Sequence, residues 1–327
     1  MRIRDLGALV LLGILWGGSF LFIRVAVPAL GPALLADLRV LLAALALIPY
    51  AVAVGRYPAL RPRWRQFLLL GCVNAAVPFT LIAASEIALT ASLAAILNST
   101  TPLFSAVVAA VWIGEALSTK KIAGLVLGMV GVAVLVGWTP ILFDRVVALS
   151  IGASLLAALC YALGATYAKR TFSGTEPLAM AIGQQAAAGV LLLPLAATTF
   201  PVEAPSLLVV LCVLGLAVLS TAVAYLIYFR LLASVGPTKT LTVTFLVPVF
   251  GLLFGVLLLG EPAGIGTLVG LGIILSSVTL VTEVRLVGAR GKGRGPAPGS
   301  WVLRTASAAI RAPERAPDDR GVLASEP

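Results

Sequence analysis

The sequence has no histidine, only three cysteines, and charged residues at just 11% of its 327 positions. Without histidine the chain lacks the commonest metal ligand and a frequent proton relay. Cys72, Cys160 and Cys212 lie far apart, so no CxxC pair indicates a metal or redox site. The sequence also has no GxxxxGK[ST] nucleotide loop and no cluster of carboxylates. These absences predict a protein that is not an enzyme and that uses no metal or cofactor.

Apolar residues are in excess instead, at 60% of the chain. A membrane-spanning helix needs about 20 mostly apolar residues, and such runs recur between short clusters of charge, proline and glycine. A membrane β-barrel would show alternating segments of about 10 residues. The sequence therefore predicts an all-α integral membrane protein with ten transmembrane helices, at Leu6–Val27, Ala33–Val54, Phe67–Ala84, Ser92–Trp112, Ile122–Trp138, Val146–Ala168, Leu178–Ala197, Leu207–Phe229, Leu241–Leu259 and Ile265–Val284.

Positive charge is distributed unevenly between the predicted loops. Lys and Arg in short loops mark the cytoplasmic side, and with residues 1–5 inside, the outer loops keep only Arg24 and Arg145. An even helix count then places both termini in the cytoplasm of a multi-pass plasma-membrane protein. Because the net charge of +10 follows loops rather than one face, we expect no nucleic-acid partner. Residues 286–327 are rich in Gly, Arg, Pro, Ala and Ser and predict a disordered basic cytoplasmic tail.

The chain repeats part of itself at a constant offset of 146 residues, the difference between 261 and 115. Proline, glycine and glutamate recur in the same order, in the pairs Pro102 and Pro248, Gly114 and Gly260, Glu115 and Glu261, and Gly124 and Gly270. The sequence therefore predicts two repeats, residues 1–140 and 141–285. Five helices in each would make the repeats inverted, as in secondary transporters whose substrate site lies near the membrane midplane.

The motif Gly13-Ile-Leu-Trp-Gly-Gly-Ser-Phe20, the Leu38-Arg39 pair and the repeated Pro…Gly-Glu segments together resemble the EamA type of the drug/metabolite transporter superfamily. The resemblance covers residues 6–284. It implies ten helices in two inverted five-helix repeats, no enzymatic activity, and transport, often efflux, of amino acids or other small metabolites.

Arg39 is the clearest candidate for a binding residue. It lies about 10 Å of helix rise beyond Pro32, and an ionised side chain within a membrane span is costly unless it has a function or a partner. Its guanidinium suits a carboxylate, although pairing with Asp37 or with backbone carbonyls is a structural alternative. Adding 145 or 146 to 39 gives Gln184 or Gln185, which predicts an amide from the second repeat near Arg39.

Other polar and aromatic residues either occupy matching positions in the two repeats or lie on one face of a single helix. Trp16 and Tyr161 differ by 145 residues, and Thr221, Tyr225 and Tyr228 form one stripe. Together they predict a solute path, with packing or interhelical hydrogen bonds as the alternative. The predicted substrate-binding residues are Trp16, Arg39, Asn74, Asn98, Tyr161, Gln184, Gln185, Tyr225 and Thr244.

Two classes of function remain open from the residues. The first is a secondary transporter that exports a small polar metabolite such as an amino acid, with alternating access around a midplane site. The second is a membrane scaffold or assembly protein, which would not require a polar site in each half. The expected partners are the lipid bilayer and a small-molecule substrate. The Gly124-xxx-Gly128 and Gly266-xxx-Gly270 motifs favour packing within a monomer over a homodimer seam.

Overall fold

The computed structural model describes residues 2–56, 60–114, 116–138, 144–201, 203–235, 240 and 243–282. Glu115 and the predicted tail, residues 286–327, lie outside the described residues. Within them the regular structure is helical throughout, and no strand occurs. The prediction of an all-α protein is confirmed.

The first helix, α1 (Ile3–Ala53), is 51 residues long. It bends at Gly31, whose φ of 71° and ψ of 163° belong to a region that is essentially restricted to glycine. The bend separates two arms, residues 3–30 and 32–53. At about 1.5 Å per residue α1 measures roughly 76 Å, enough to cross a hydrocarbon core of about 30 Å twice.

Further helices follow in chain order: α2 (Trp64–Ser85), α3 (Ala91–Trp112), α4 (Thr119–Trp138), α5 (Arg145–Thr171), α6 (Pro177–Ala196), α7 (Leu207–Leu214, Gly215–Val223 and Ala224–Val235 in succession), α8 (Val243–Leu259) and α9 (Ile265–Thr282). Among the described residues, α1 to α7 are long and apolar enough to cross a membrane, whereas α8 and α9 are apolar but shorter. The protein is therefore a multi-pass membrane protein.

Three of these helices contain π-helical segments, in which the backbone turns are wider than in an α-helix. They are Cys72–Ala76 in α2, Ala109–Ile113 in α3 and Gly215–Val223 in α7. Such segments are rare and occur frequently at functional sites. The segments in α2 and α7 are separated by the offset of the predicted repeat, since 72 plus 146 is 218, which lies within Gly215–Val223.

α1 occupies the middle of the helix assembly. Its two arms pack against α6, α7 and α8, while α2 packs on α5 and α6, and α3 packs on α5 and α8. Buried apolar side chains from both arms, including Leu12, Ile23 and Leu35, meet Leu216 of α7 in the largest core cluster. The π-helical segments of α2 and α7 thereby lie near α1.

α4 and α9 pack against each other through glycines, in what we call the α4–α9 seam (Gly131, Leu135, Gly270 and Ile274). A Cβ atom on Gly131 would lie 2.8 Å from Cγ1 of Ile274, and one on Gly270 would lie 2.9 Å from Cα of Leu135. Small residues permit this close approach of two backbones. The seam lies within one chain, so Gly270 serves packing inside the monomer.

Candidate functional site

Arg39 lies in the second arm of α1 and is 6% exposed. Its Nε donates a hydrogen bond to Oγ1 of Thr221 at 3.0 Å, and its Cζ lies 3.7 Å from the ring centroid of Phe79. Among the described residues, the hydrogen bond from Nε is the one that this guanidinium makes, so Nη1 and Nη2 have no acceptor there. The buried guanidinium is thus oriented by a hydroxyl and a ring, and its two outer nitrogens retain their capacity to bind an acceptor.

The π-helical segment of α7 places Thr221 beside Arg39. Oγ1 of Thr221 accepts from Arg39 and donates to the backbone carbonyl of Leu216, five residues earlier, at 2.9 Å. This hydrogen bond to the carbonyl five residues earlier fixes the orientation of the hydroxyl. Its remaining lone pair points to the guanidinium.

A chain of amides and a phenol crosses from the first half of the sequence to the second. Nδ2 of Asn74 donates to Oε1 of Gln184 at 2.8 Å, and Nε2 of Gln184 reaches the Tyr225 hydroxyl at 3.4 Å. Asn74 lies in the π-helical segment of α2 and packs on Gly164 of α5, where a Cβ atom would lie 2.6 Å from its own Cβ. A glycine at position 164 therefore makes room for the amide.

Aromatic rings complete the group. Trp16 lies edge-on to Tyr225 at 6.2 Å and 5.6 Å from Tyr228, and Tyr161 lies 6.2 Å from Phe79. Tyr161 and Tyr225 also interact electrostatically with Arg39. We call this group the Arg39 cluster: Trp16, Arg39, Asn74, Phe79, Tyr161, Gln184, Thr221, Tyr225 and Tyr228.

The Arg39 cluster brings together six of the nine residues predicted from the sequence. Gln185 is also buried, but it lies one position after Gln184, and neither of its amide atoms has a hydrogen-bond partner among the described residues. Asn98 is the last residue of the first α-helical stretch of α3, and Thr244 lies at the start of α8. Both side chains are half-buried. The contacts that define the cluster do not include these three.

Sequence reasoning missed Phe79, which supports the guanidinium directly. A phenylalanine within an apolar run has the pattern of a packing residue, so composition gives no signal for it. The π-helical segments that position Asn74 and Thr221 were also not predicted, because hydrophobic periodicity does not distinguish a π turn from an α turn.

The cluster is suited to binding rather than to bond-breaking chemistry. A guanidinium with two available nitrogens binds a carboxylate through paired, charge-assisted hydrogen bonds. The neighbouring amides and phenols offer both donors and acceptors to a polar solute. Among the described residues, no group of three or more Cys, Asp or Glu side chains is placed to hold a metal ion.

Comparison with known proteins identifies the family. The model of the EamA-like transporter family matches residues 5–137 and again residues 148–283. The chain belongs to the EamA-like transporter family. The resemblance drawn from its motifs is thereby confirmed, and the protein is a membrane transporter.

Similar members of the EamA-like family include several bacterial transporters. "Uncharacterized transporter YvbV" of Bacillus subtilis (strain 168) is 28% identical over 84% of this chain and 90% of its own. "Uncharacterized inner membrane transporter YedA" of Escherichia coli (strain K12) is 29% identical over 86% and 93%. "Probable amino-acid metabolite efflux pump" of the same strain is 28% identical over 77% and 86%.

A solved crystal structure shares the fold of this EamA-like protein. It aligns with a TM-score of 0.62 at 19% identity, over 86% of this chain and 98% of that chain. At this identity the likeness concerns the fold alone.

Proposed function

We propose that this transporter is a secondary exporter of a small polar metabolite with a carboxylate group, such as an amino acid. The observation that carries the proposal is the buried guanidinium of Arg39, whose Nη1 and Nη2 have no acceptor among the described residues. An uncompensated cation within a membrane span is costly, by about 2.5 to 3.5 kcal/mol on insertion scales. An anionic group of the solute offsets that cost when it binds.

The proposed mechanism is alternating access, in which two inverted five-helix repeats, residues 1–140 and 141–285, rock about the Arg39 cluster. Counting the two arms of α1 separately gives ten helices, and the family model matches the chain twice. The helix contacts support such a repeat, because α1 packs on α8 as α5 packs on α3. Both repeats also contribute to the cluster, the first Arg39 and Asn74, the second Gln184 and Thr221.

Direction and topology complete the proposal. Export is supported by the similarity to a relative described as a probable amino-acid metabolite efflux pump. The proposed topology places both termini in the cytoplasm, as the loop charges predict. We propose a monomer as the transporting unit, because Gly266 and Gly270 are covered by Trp138 and Leu135 of the same chain.

The test is transport in proteoliposomes, with radiolabelled L-alanine, L-glutamate and succinate as the panel and an outward or inward solute gradient. Wild-type protein should move at least one of the three, and Arg39→Gln should abolish that movement. The matched control is Arg145→Gln, which removes an exposed arginine at the first residue of α5 and should transport normally. Transport unaffected by Arg39→Gln would reduce Arg39 to a structural role, and no movement under any gradient would favour a scaffold instead.

A further inference from the structure

Glu86 follows α2 directly and is an acidic side chain buried without hydrogen-bond donors. It is 0% exposed, and neither carboxylate oxygen receives a hydrogen bond from a residue that the structure describes. An ionised carboxylate in such surroundings carries a large desolvation cost, which protonation removes. The contacts around Glu86 therefore suit a neutral carboxylic acid.

A second carboxylate, the half-buried Glu261, is held in the opposite way. Glu261, in the segment after α8, accepts from the backbone nitrogens of Ala91 and Ser92 at 2.7 and 2.9 Å and from the Ser92 hydroxyl at 2.5 Å. It thus stabilises the first turn of α3, where a negative charge is favoured. Glu261 accepts three hydrogen bonds and Glu86 accepts none from the described residues, which distinguishes the two groups.

The charged groups that act on Glu86 come from each neighbouring element. Arg24 and Arg39, on the two arms of α1, attract its negative charge, and Glu261 repels it. Nη1 of Arg24 donates to the backbone carbonyls of Glu86 and Ile87 rather than to the Glu86 carboxylate. From α5, Tyr161 acts on Arg39. Glu86 is therefore coupled electrostatically to the guanidinium that carries the proposed solute site.

The separation along α2 shows how that coupling works. Phe79, which stacks on Arg39, precedes Glu86 by seven residues, roughly 10 Å of helix rise. The charge of Arg39 acts on Glu86, so a solute carboxylate bound to Arg39 would change the electrostatic surroundings of Glu86. An ionised Glu86 weakens the binding of a second anion, and a protonated Glu86 does not.

From this arrangement, and resting on the function proposed above, we propose that Glu86 binds the proton that accompanies the solute across the membrane. When the solute carboxylate binds Arg39, Glu86 takes a proton from the water on the side where the solute enters, and one O–H bond forms. When the solute leaves, that bond breaks and the proton passes to the water on the opposite side. One negative and one positive charge therefore move together, and in export the outward gradient of the solute drives the proton out with it. By linkage, the proton raises solute affinity by the factor by which the solute raises proton affinity.

Infrared difference spectroscopy tests the proton site without any solute. For the reconstituted full-length protein, Glu86→Gln and the exposed control Glu203→Gln, the spectrum at alkaline pH is subtracted from the spectrum at mildly acidic pH. Wild type and Glu203→Gln should share a protonated-carboxyl C=O band that Glu86→Gln lacks. The same band in all three proteins would overturn the proposal.

Proton movement tests the coupling, with a pH-sensitive dye trapped in proteoliposomes and the same three-solute panel. Solute entry should acidify the lumen in wild type but not in Glu86→Gln, whose continued solute exchange would show that it is folded. Solute affinity should fall at least about fivefold from acidic to alkaline pH in wild type and stay constant in the variant. Solute movement without protons in wild type would overturn the coupling and leave the transport function intact. No movement of any panel solute would overturn the transport function, while the infrared band would still decide whether Glu86 holds a proton.

Discussion

In the α4–α9 seam two helices touch through glycines, whereas in the Arg39 cluster long polar and aromatic side chains fill the space between helices. The seam has Gly131 against Ile274 and Gly270 against Leu135. The cluster has a buried cation whose orientation is fixed by Thr221 and Phe79 while two of its nitrogens remain available. Close backbone packing therefore holds this membrane protein together, whereas the wider, π-helical turns position its polar groups.

The largest expected effect comes from breaking the seam with Gly131→Val. A Cβ atom at this position would already lie 3.1 Å from the backbone nitrogen of Ile274, so the two helices must separate. Overpacking of this kind destabilises by about 1 to 3 kcal/mol. Thermal unfolding in detergent should show a clear loss of stability, and the remaining folded protein should keep its solute affinity. The exposed Gly152→Val in α5, where a Cβ atom meets nothing within 4 Å, is the control.

Within the Arg39 cluster, Thr221→Val should have the next largest effect, and it should appear in solute binding. The substitution keeps the shape of the side chain but leaves Nε of Arg39 without its acceptor, a loss of about 1 to 3 kcal/mol. We expect solute affinity to fall by roughly tenfold or more, measured by equilibrium binding. Thr221→Ser retains the hydroxyl and should bind nearly as wild type. An equal fall in both variants would contradict the role of the hydroxyl.

A smaller effect is expected from Gln184→Leu, which removes the amide between Asn74 and Tyr225. Interhelical hydrogen bonds in membranes contribute about 0.6 kcal/mol on average and up to about 1.7 kcal/mol. Solute affinity should therefore fall only a few-fold in the same binding assay. Gln185→Leu, at the adjacent position outside the cluster, is the control. It should leave solute affinity unchanged if Gln184 alone faces the solute.

The smallest effect is expected at the surface, where Arg56 forms an ion pair with Glu176. Both side chains are substantially exposed, so the pair contributes less than about 1 kcal/mol. Arg56→Gln should shift neither the unfolding temperature nor the transport rate beyond experimental error. A marked loss of transport would mean that this contact between the segments before α2 and α6 takes part in the conformational cycle.

Hydrophobic runs predicted the helical membrane fold well, because length and apolar composition are local properties of the sequence. The predicted helices at Leu207 and Ile265 begin where the structure begins them. The predicted break between Val27 and Ala33 falls at one residue, Gly31, which separates the two helical arms of α1. Prolines on both sides of the bend suggested a loop, but only the glycine leaves helical backbone geometry.

The candidate site was less accessible to sequence reasoning. The repeat offset pointed to Gln184 or Gln185, and the structure places Gln184 in the Arg39 cluster. Consecutive helix residues point about 100° apart, so a one-residue uncertainty in the offset changes the face. Phe79 has no sequence signature, because its contact with Arg39 depends on how α1 and α2 pack together.

The most direct test of the central claim is whether Arg39 recognises the carboxylate of the solute. The panel member that wild-type protein transports is compared with its carboxamide analogue by equilibrium binding, in wild type and in Arg39→Gln. The account predicts that wild type binds the carboxylate at least about tenfold more tightly than the amide, as a charge-assisted pair of hydrogen bonds would require, and that Arg39→Gln loses this preference. An undiminished preference in Arg39→Gln would contradict the account.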